Sequence, residues 1–162
     1  MAIVTKFESF MSGVDQSTEV FKAAKRFVSF VTVPGDTYAV GDWVSIDYTV
    51  TGEEMACTVK ICPTGKPAFG VVAALPSQVD VDGYAADNSV VSVQISGYCG
   101  LAKVETGINA GDLLSVITND GVAGIPVSPA APGDVLPFVN GMALSDEVDG
   151  FSAALLVGWF SN

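Results

Sequence analysis

The chain of 162 residues is long enough for one domain with a substantial core, and it contains no histidine. Histidine-based catalytic triads and metal sites are therefore excluded, and three cysteines without a CxxC spacing predict neither a zinc site nor a disulfide framework. A net charge of −11 disfavours binding to nucleic acid, and no apolar run approaches the roughly 20 residues of a membrane-spanning helix.

The first part of the chain differs from the rest. Residues 1–33 carry four of the seven basic residues, whereas the remainder is strongly acidic. Residues 1–26 lack regular alternation and predict an extended N-terminal arm. This arm either contains a short helix over residues 17–26, capped by Ser17 or Thr18, or completes the first sheet.

The next segments predict strands. Apolar and β-branched residues fill 27–33, and residues 42–50 and 55–61 each alternate between apolar and polar side chains. Because a turn sequence separates the last two stretches, they predict a β-hairpin. The side chains expected on the apolar sides of its strands are Val44, Ile46, Tyr48, Val50, Met55, Cys57, Val59 and Ile61.

Further strands are predicted over residues 68–75, 90–96 and 152–160, and a long Pro- and Ala-rich loop over residues 121–137. No helical periodicity persists, so the predicted fold class is all-β. We expect a small closed or partly open β-barrel or sandwich, because strands this apolar are not left with bare edges. The predicted division is an arm with the first strand (1–33) and a barrel (34–162).

A short unit recurs three times before a strand-like stretch: a small residue, one spacer, Gly and Asp. It occupies residues 39–42, 109–112 and 131–134. Glycine supplies a positive φ and the aspartate side chain caps the turn, so the unit predicts a sharp reversal and no chemistry. The predicted turn-forming residues are Gly41, Asp42, Gly111, Asp112, Gly133 and Asp134.

Other motifs are weaker. The acidic loops at residues 80–87 and 146–149 contain oxygen ligands suited to calcium, but they match no EF-hand and are interpreted as solvated turns. No metal site, cofactor or catalytic residue is predicted. The aromatic residues that a sugar-binding platform would use are interpreted as core and interface residues: Tyr38, Trp43, Tyr48, Tyr84, Tyr98 and Trp159.

The order of these motifs is similar to that of a known family. Ala39-Val40-Gly41-Asp42 enters a strand, residues 66–73 read KPAFGVVA, residues 91–97 lead to NAGDLL at 109–114, and GMAL follows at 141–144. In these features, which span about three-quarters of the chain, the sequence resembles the small β-barrel decoration proteins of tailed-phage heads.

The resemblance implies a non-enzymatic virion protein, made in the host cytoplasm, that binds the outer capsid surface and bridges neighbouring major capsid subunits. The implied partners are the major capsid protein and the chain itself, as a homotrimer, with no nucleic acid and no membrane. We expect the arm to contact the shell and the barrel to form the trimer. The expected contact residues are Phe7, Phe10, Lys22, Lys25 and Arg26.

Two alternatives remain open at this point. One is a carbohydrate- or receptor-binding β module of a head fibre or tail, which would expose aromatic side chains in loops. The other is a β-barrel enzyme that uses only carboxylates, which would place two carboxyl groups with raised pKa values in one cleft.

Overall fold

A computed structural model describes residues 25–76, 79, 82–125 and 138–156. In these ranges the chain forms nine β-strands and one short helix, so the predicted all-β class is confirmed. The elements are β1 (Arg26–Thr32), β2 (Trp43–Ile46), α1 (Glu53–Cys57), β3 (Thr58–Ile61), β4 (Gly70–Ala74), β5 (Val90–Lys103), β6 (Leu113–Asn119), β7 (Val122–Gly124), β8 (Gly141–Ala143) and β9 (Phe151–Leu156).

Five strands close a barrel. β1 pairs in parallel with β3 and antiparallel with β5, while β3 pairs with β2, β2 with β4, and β4 with β5, all antiparallel. No strand of this ring is left with a bare edge, which is how small antiparallel barrels avoid unpaired backbone groups. The buried side chains of its core are Phe30, Tyr38, Val44, Val59, Val72, Ala85, Val91 and Val93.

The structure tests only part of the predictions for the N-terminal segment. Arg26 begins β1, so this residue belongs to a strand and not to the helix considered for residues 17–26. Residues 1–24 lie outside the described ranges, and the arm stays a prediction for them. β1 itself forms part of the barrel.

The rest of the chain repeats the same pairing pattern. β5 continues beyond Gly97, and its second half pairs with β9, β9 with β8, β8 with β6, and β6 with β7. A parallel bridge between Val104 and Ala123 then closes the circuit, as the parallel pairing of β1 with β3 does in the barrel. We call residues 26–96 the first repeat and residues 97–156 the second repeat; β5 contributes its two halves to the two repeats.

Backbone hydrogen bonds establish the correspondence between the repeats. In each repeat the glycine of the Gly-Asp unit donates to the strand that follows the hairpin, and that strand donates back to the aspartate carbonyl. The matching donor-to-acceptor pairs are Gly41 to Val72 (2.8 Å) and Gly111 to Ala143 (2.8 Å), Val72 to Asp42 (2.9 Å) and Ala143 to Asp112 (2.8 Å), Phe69 to Val44 (2.6 Å) and Asn140 to Leu114 (2.8 Å), and Val33 to Val59 (3.3 Å) and Glu105 to Ala123 (2.8 Å).

Trp43 joins the two repeats. Its ring lies on the outer side of the first barrel and is buried in a cluster with Leu114, Ala143 and other core residues of the second repeat. The indole Nε1 donates to the carbonyl oxygen of Lys103 at 2.8 Å. Gly141 faces the ring: a Cβ there would lie 3.5 Å from Trp43 and only 2.7 Å from the Leu155 carbonyl oxygen, so this position requires glycine.

The predicted hairpin is confirmed as a pairing, but both of its strands are shorter than predicted. β2 ends at Ile46 because the Asp47 carboxylate accepts hydrogen bonds from the backbone N and Oγ1 of Thr49 and turns the chain. Tyr48, expected on the apolar face, is therefore exposed. The expectation for Cys57 is also wrong: residues 53–57 form α1, and the Cys57 thiol is exposed.

Two other predictions need correction. β5 is 14 residues long, twice the predicted stretch, because its second half pairs with β9. Gln94, a polar residue of the predicted strand 90–96, is buried, and its side-chain Nε2 donates to the carbonyl oxygens of Ser96 and Tyr98. β7 occupies part of the predicted loop 121–137, whose residues 126–137 lie outside the described ranges, as do residues 157–160 of the predicted last strand.

Candidate functional site

The two described Gly-Asp units form nearly identical turns. Gly41 and Gly111 have φ values of +96° and +97°, a region in which a side chain is strained. Asp42 accepts a hydrogen bond from the backbone N of Ala39 at 2.7 Å, and Asp112 accepts one from Asn109 at 2.8 Å. Each carboxylate thus caps its own turn. Gly133 and Asp134 lie outside the described residues.

Only one of these two turns carries an ion pair among the described residues. Lys103 Nζ lies 2.6 Å from Asp42 Oδ1, and the Asp42 side chain is almost fully buried. Lys103 ends β5 in the second repeat, and its backbone N donates to the Gly41 carbonyl oxygen at 2.9 Å. The pair therefore joins the first turn to the second repeat.

An open cleft of about 550 Å³ lies beside this ion pair. Its polar lining includes Asp36, Lys60, Tyr84 and Asp120. Asp36 Oδ2 accepts a hydrogen bond from the backbone N of Ile61 at 2.9 Å, and Asp120 Oδ1 accepts bonds from the N and Oγ1 of Thr64, both at 2.7 Å. The carboxylates of the cleft are thus acceptors for neighbouring loops.

The electrostatics of the carboxylates match this structural role. Hydrogen bonds from the Thr64 side chain and backbone hold the pKa of Asp120 below its usual value. Burial raises the pKa of Asp47, but hydrogen bonds from Thr49 and the charge of Lys60 outweigh it and lower the pKa overall. Neither carboxyl group has the raised pKa expected of a general acid in a carboxylate-only enzyme.

Carboxylates of the acidic loops accept hydrogen bonds from the backbone of their own loop and of other loops. Asp87 accepts a hydrogen bond from Gly35 N at 3.0 Å, Asp146 accepts one from Ala110 N at 3.0 Å, and Glu147 accepts one from Gly150 N at 2.7 Å. Among the described residues, no three carboxylate or thiol side chains are arranged to hold a metal ion. Asp80 lies outside these ranges.

The cysteines are separated in space and environment. Cys62 and Cys99 are buried, as the packing interpretation predicted for them, and the structure contains no disulfide among the described residues. Burial raises the pKa of the Cys62 thiol to about 12 and also raises that of Cys99. Neither thiol is therefore a thiolate near neutral pH.

The aromatic residues do not form one platform. Tyr38 and Trp43 are buried in different cores, whereas Tyr48 is exposed beyond the end of β2. Burial raises the pKa of Tyr38, whose hydroxyl donates to the Val59 carbonyl oxygen at 2.9 Å. Trp159 lies outside the described residues.

An apolar surface that the sequence analysis did not predict lies on the outer side of the second repeat. Cross-strand pairing places Leu113 beside Met142 and Met142 beside Leu155, on the side opposite the buried core. Val139 precedes β8 and is also exposed. We call Leu113, Val139, Met142 and Leu155 the outer face. Its sequence signal is the apolar residue that directly follows each Gly-Asp pair.

Of the predicted shell-contact residues, two are described. Lys25 Nζ lies 5.0 Å from the centroid of the Tyr98 ring, a cation–π distance, and Arg26 pairs with Ser96 at the start of β1. Both are therefore near the junction between the two halves of β5. Phe7, Phe10 and Lys22 lie outside the described residues. Contact with a capsid shell stays a prediction for all five residues.

Comparisons with known proteins identify no family for this chain. A scan of the sequence against protein-family models gives no match, and a search of curated proteins gives no similar sequence. In the described part of the chain, no helix has the length and apolarity needed to cross a membrane.

Proposed function

We propose that this chain is a non-enzymatic structural protein of a virion, which binds the outside of a tailed-phage capsid and stabilises it by bridging neighbouring major capsid subunits. The observation that supports the proposal best is the outer face. Leu113 and Val139 are 48% and 43% exposed although the core beneath them is filled by Leu114, Val116 and Ala143. An apolar patch that is continuous across neighbouring strands of a well-packed sheet, as this one is, favours a protein partner.

The polar chemistry favours the same conclusion. Three carboxylates of the cleft and three of the acidic loops accept hydrogen bonds from backbone N atoms and therefore stabilise loops: Asp36, Asp42, Asp120, Asp87, Asp146 and Glu147. A net charge of −11 keeps copies soluble at high density on a shell and repels stray nucleic acid. The proposal therefore assigns apolar surface to assembly and acidic surface to solubility.

Different parts of the chain are proposed to contact the capsid and to form the oligomer, as the sequence analysis predicts. The basic-leaning segment before β1 contacts the capsid shell, and the two repeats form a homotrimer. Lys25 lies against Tyr98 beside the junction of the repeats, so the chain enters the body from that side. The proposed location is the outer capsid surface after synthesis in the host cytoplasm.

Binding to capsids tests the proposal directly. Heads are purified from a mutant of the encoding phage that lacks this chain, and the purified full-length chain is added to them. We expect saturable co-sedimentation and a higher temperature of head disruption. A chain that does not sediment with heads at tens of micromolar, while it remains folded by circular dichroism, would contradict the proposal.

A second candidate is the glycan- or receptor-binding module, and the cleft beside Asp42 is the observation that favours it. Tyr84 and charged side chains converge there in a volume suited to one or two sugar rings. A glycan array probed with the full-length chain tests this role. Binding that is lost in Tyr84→Ala but kept in Tyr48→Ala would support it.

A further inference from the structure

We draw no further inference here: the strongest candidate, the outer face of the second repeat, is an unpartnered apolar surface, and nothing in the described residues shows what covers it.

Discussion

Lys103 Nζ and Asp42 Oδ1 lie 2.6 Å apart and join the Gly-Asp turn of the first repeat to the end of β5 in the second. The corresponding carboxylate of the second repeat, Asp112, caps the same kind of turn at 2.8 Å without an ion pair among the described residues. Comparison of variants at the two aspartates therefore distinguishes the contribution of turn capping to stability from that of the ion pair.

Asp42→Asn is expected to lower the free energy of unfolding by about 1–2 kcal/mol, because the amide oxygen still accepts the bond from Ala39 but the charge of Lys103 loses its partner. Asp112→Asn keeps the turn bond and breaks no described ion pair, so we expect a loss below about 0.5 kcal/mol. Urea denaturation of both variants measures the difference. Equal losses would show that the ion pair contributes nothing.

Gly41→Ala and Gly111→Ala form a second matched pair. Both residues have φ near +97°, so alanine is expected to cost about 1–2 kcal/mol of unfolding free energy at either site. A Cβ at Gly41 would also lie 2.8 Å from Phe151 Cε1, whereas nothing lies within 4 Å of one at Gly111. Gly41→Ala should therefore cost about 1 kcal/mol more in the same measurement. Equal losses of unfolding free energy in the two variants would mean that the Phe151 ring moves aside without cost.

Thiol labelling tests the corrected position of Cys57. Cys57 is exposed, whereas Cys62 and Cys99 are buried with raised pKa values. We expect Ellman's reagent at pH 8 to label one thiol per folded chain rapidly and all three thiols in urea. Cys57→Ser should remove the rapid phase. Fast labelling that persists in this variant would place a second thiol at the surface.

Deletion of residues 1–24 tests the proposed arm. Because β1 begins at Arg26, this truncation leaves every described strand in place, and we expect a folded oligomer that no longer sediments with capsids. Deletion of residues 1–33 also removes β1, which closes the barrel between β3 and β5, and should give an unfolded or aggregated chain. Capsid binding by the chain without residues 1–24 would contradict the assignment of shell contact to the arm.

Local turn chemistry made much of this fold predictable from the sequence. The Gly-Asp units, the strand beginning near residue 27 and the pairing of β2 with β3 follow from residue types whose backbone preferences are strong. The end of β2 was not predictable, because alternation continues to Val50 while the Asp47 side chain bonds the backbone of Thr49 and ends the strand. Side-chain acceptors of this kind override a β pattern.

The candidate surface was harder to predict for a different reason. Whether an apolar residue on an outer side is buried depends on which part of the chain packs there. Trp43 and Leu113 follow equivalent Gly-Asp pairs, yet only Trp43 is covered. The structural repeat is hard to recognise in the sequence, because α1 has no counterpart in the second repeat and the connection from β4 to β5 is longer than that from β8 to β9. The second repeat also has two residues fewer between Gly107 and Asn109 than the first has between Gly35 and Ala39.

Because the two repeats share β5, the first barrel can form before the second repeat during synthesis of the chain. All strands of the first barrel are present once residue 96 has emerged, so this ring is able to close while the rest of the chain is still being synthesised. The second repeat has no such independence, because its first strand is the continuation of β5 and its core receives Trp43 from the earlier ring. A ring that closes first would leave the Trp43 indole exposed on its outer side until the strands of the second repeat pack over it.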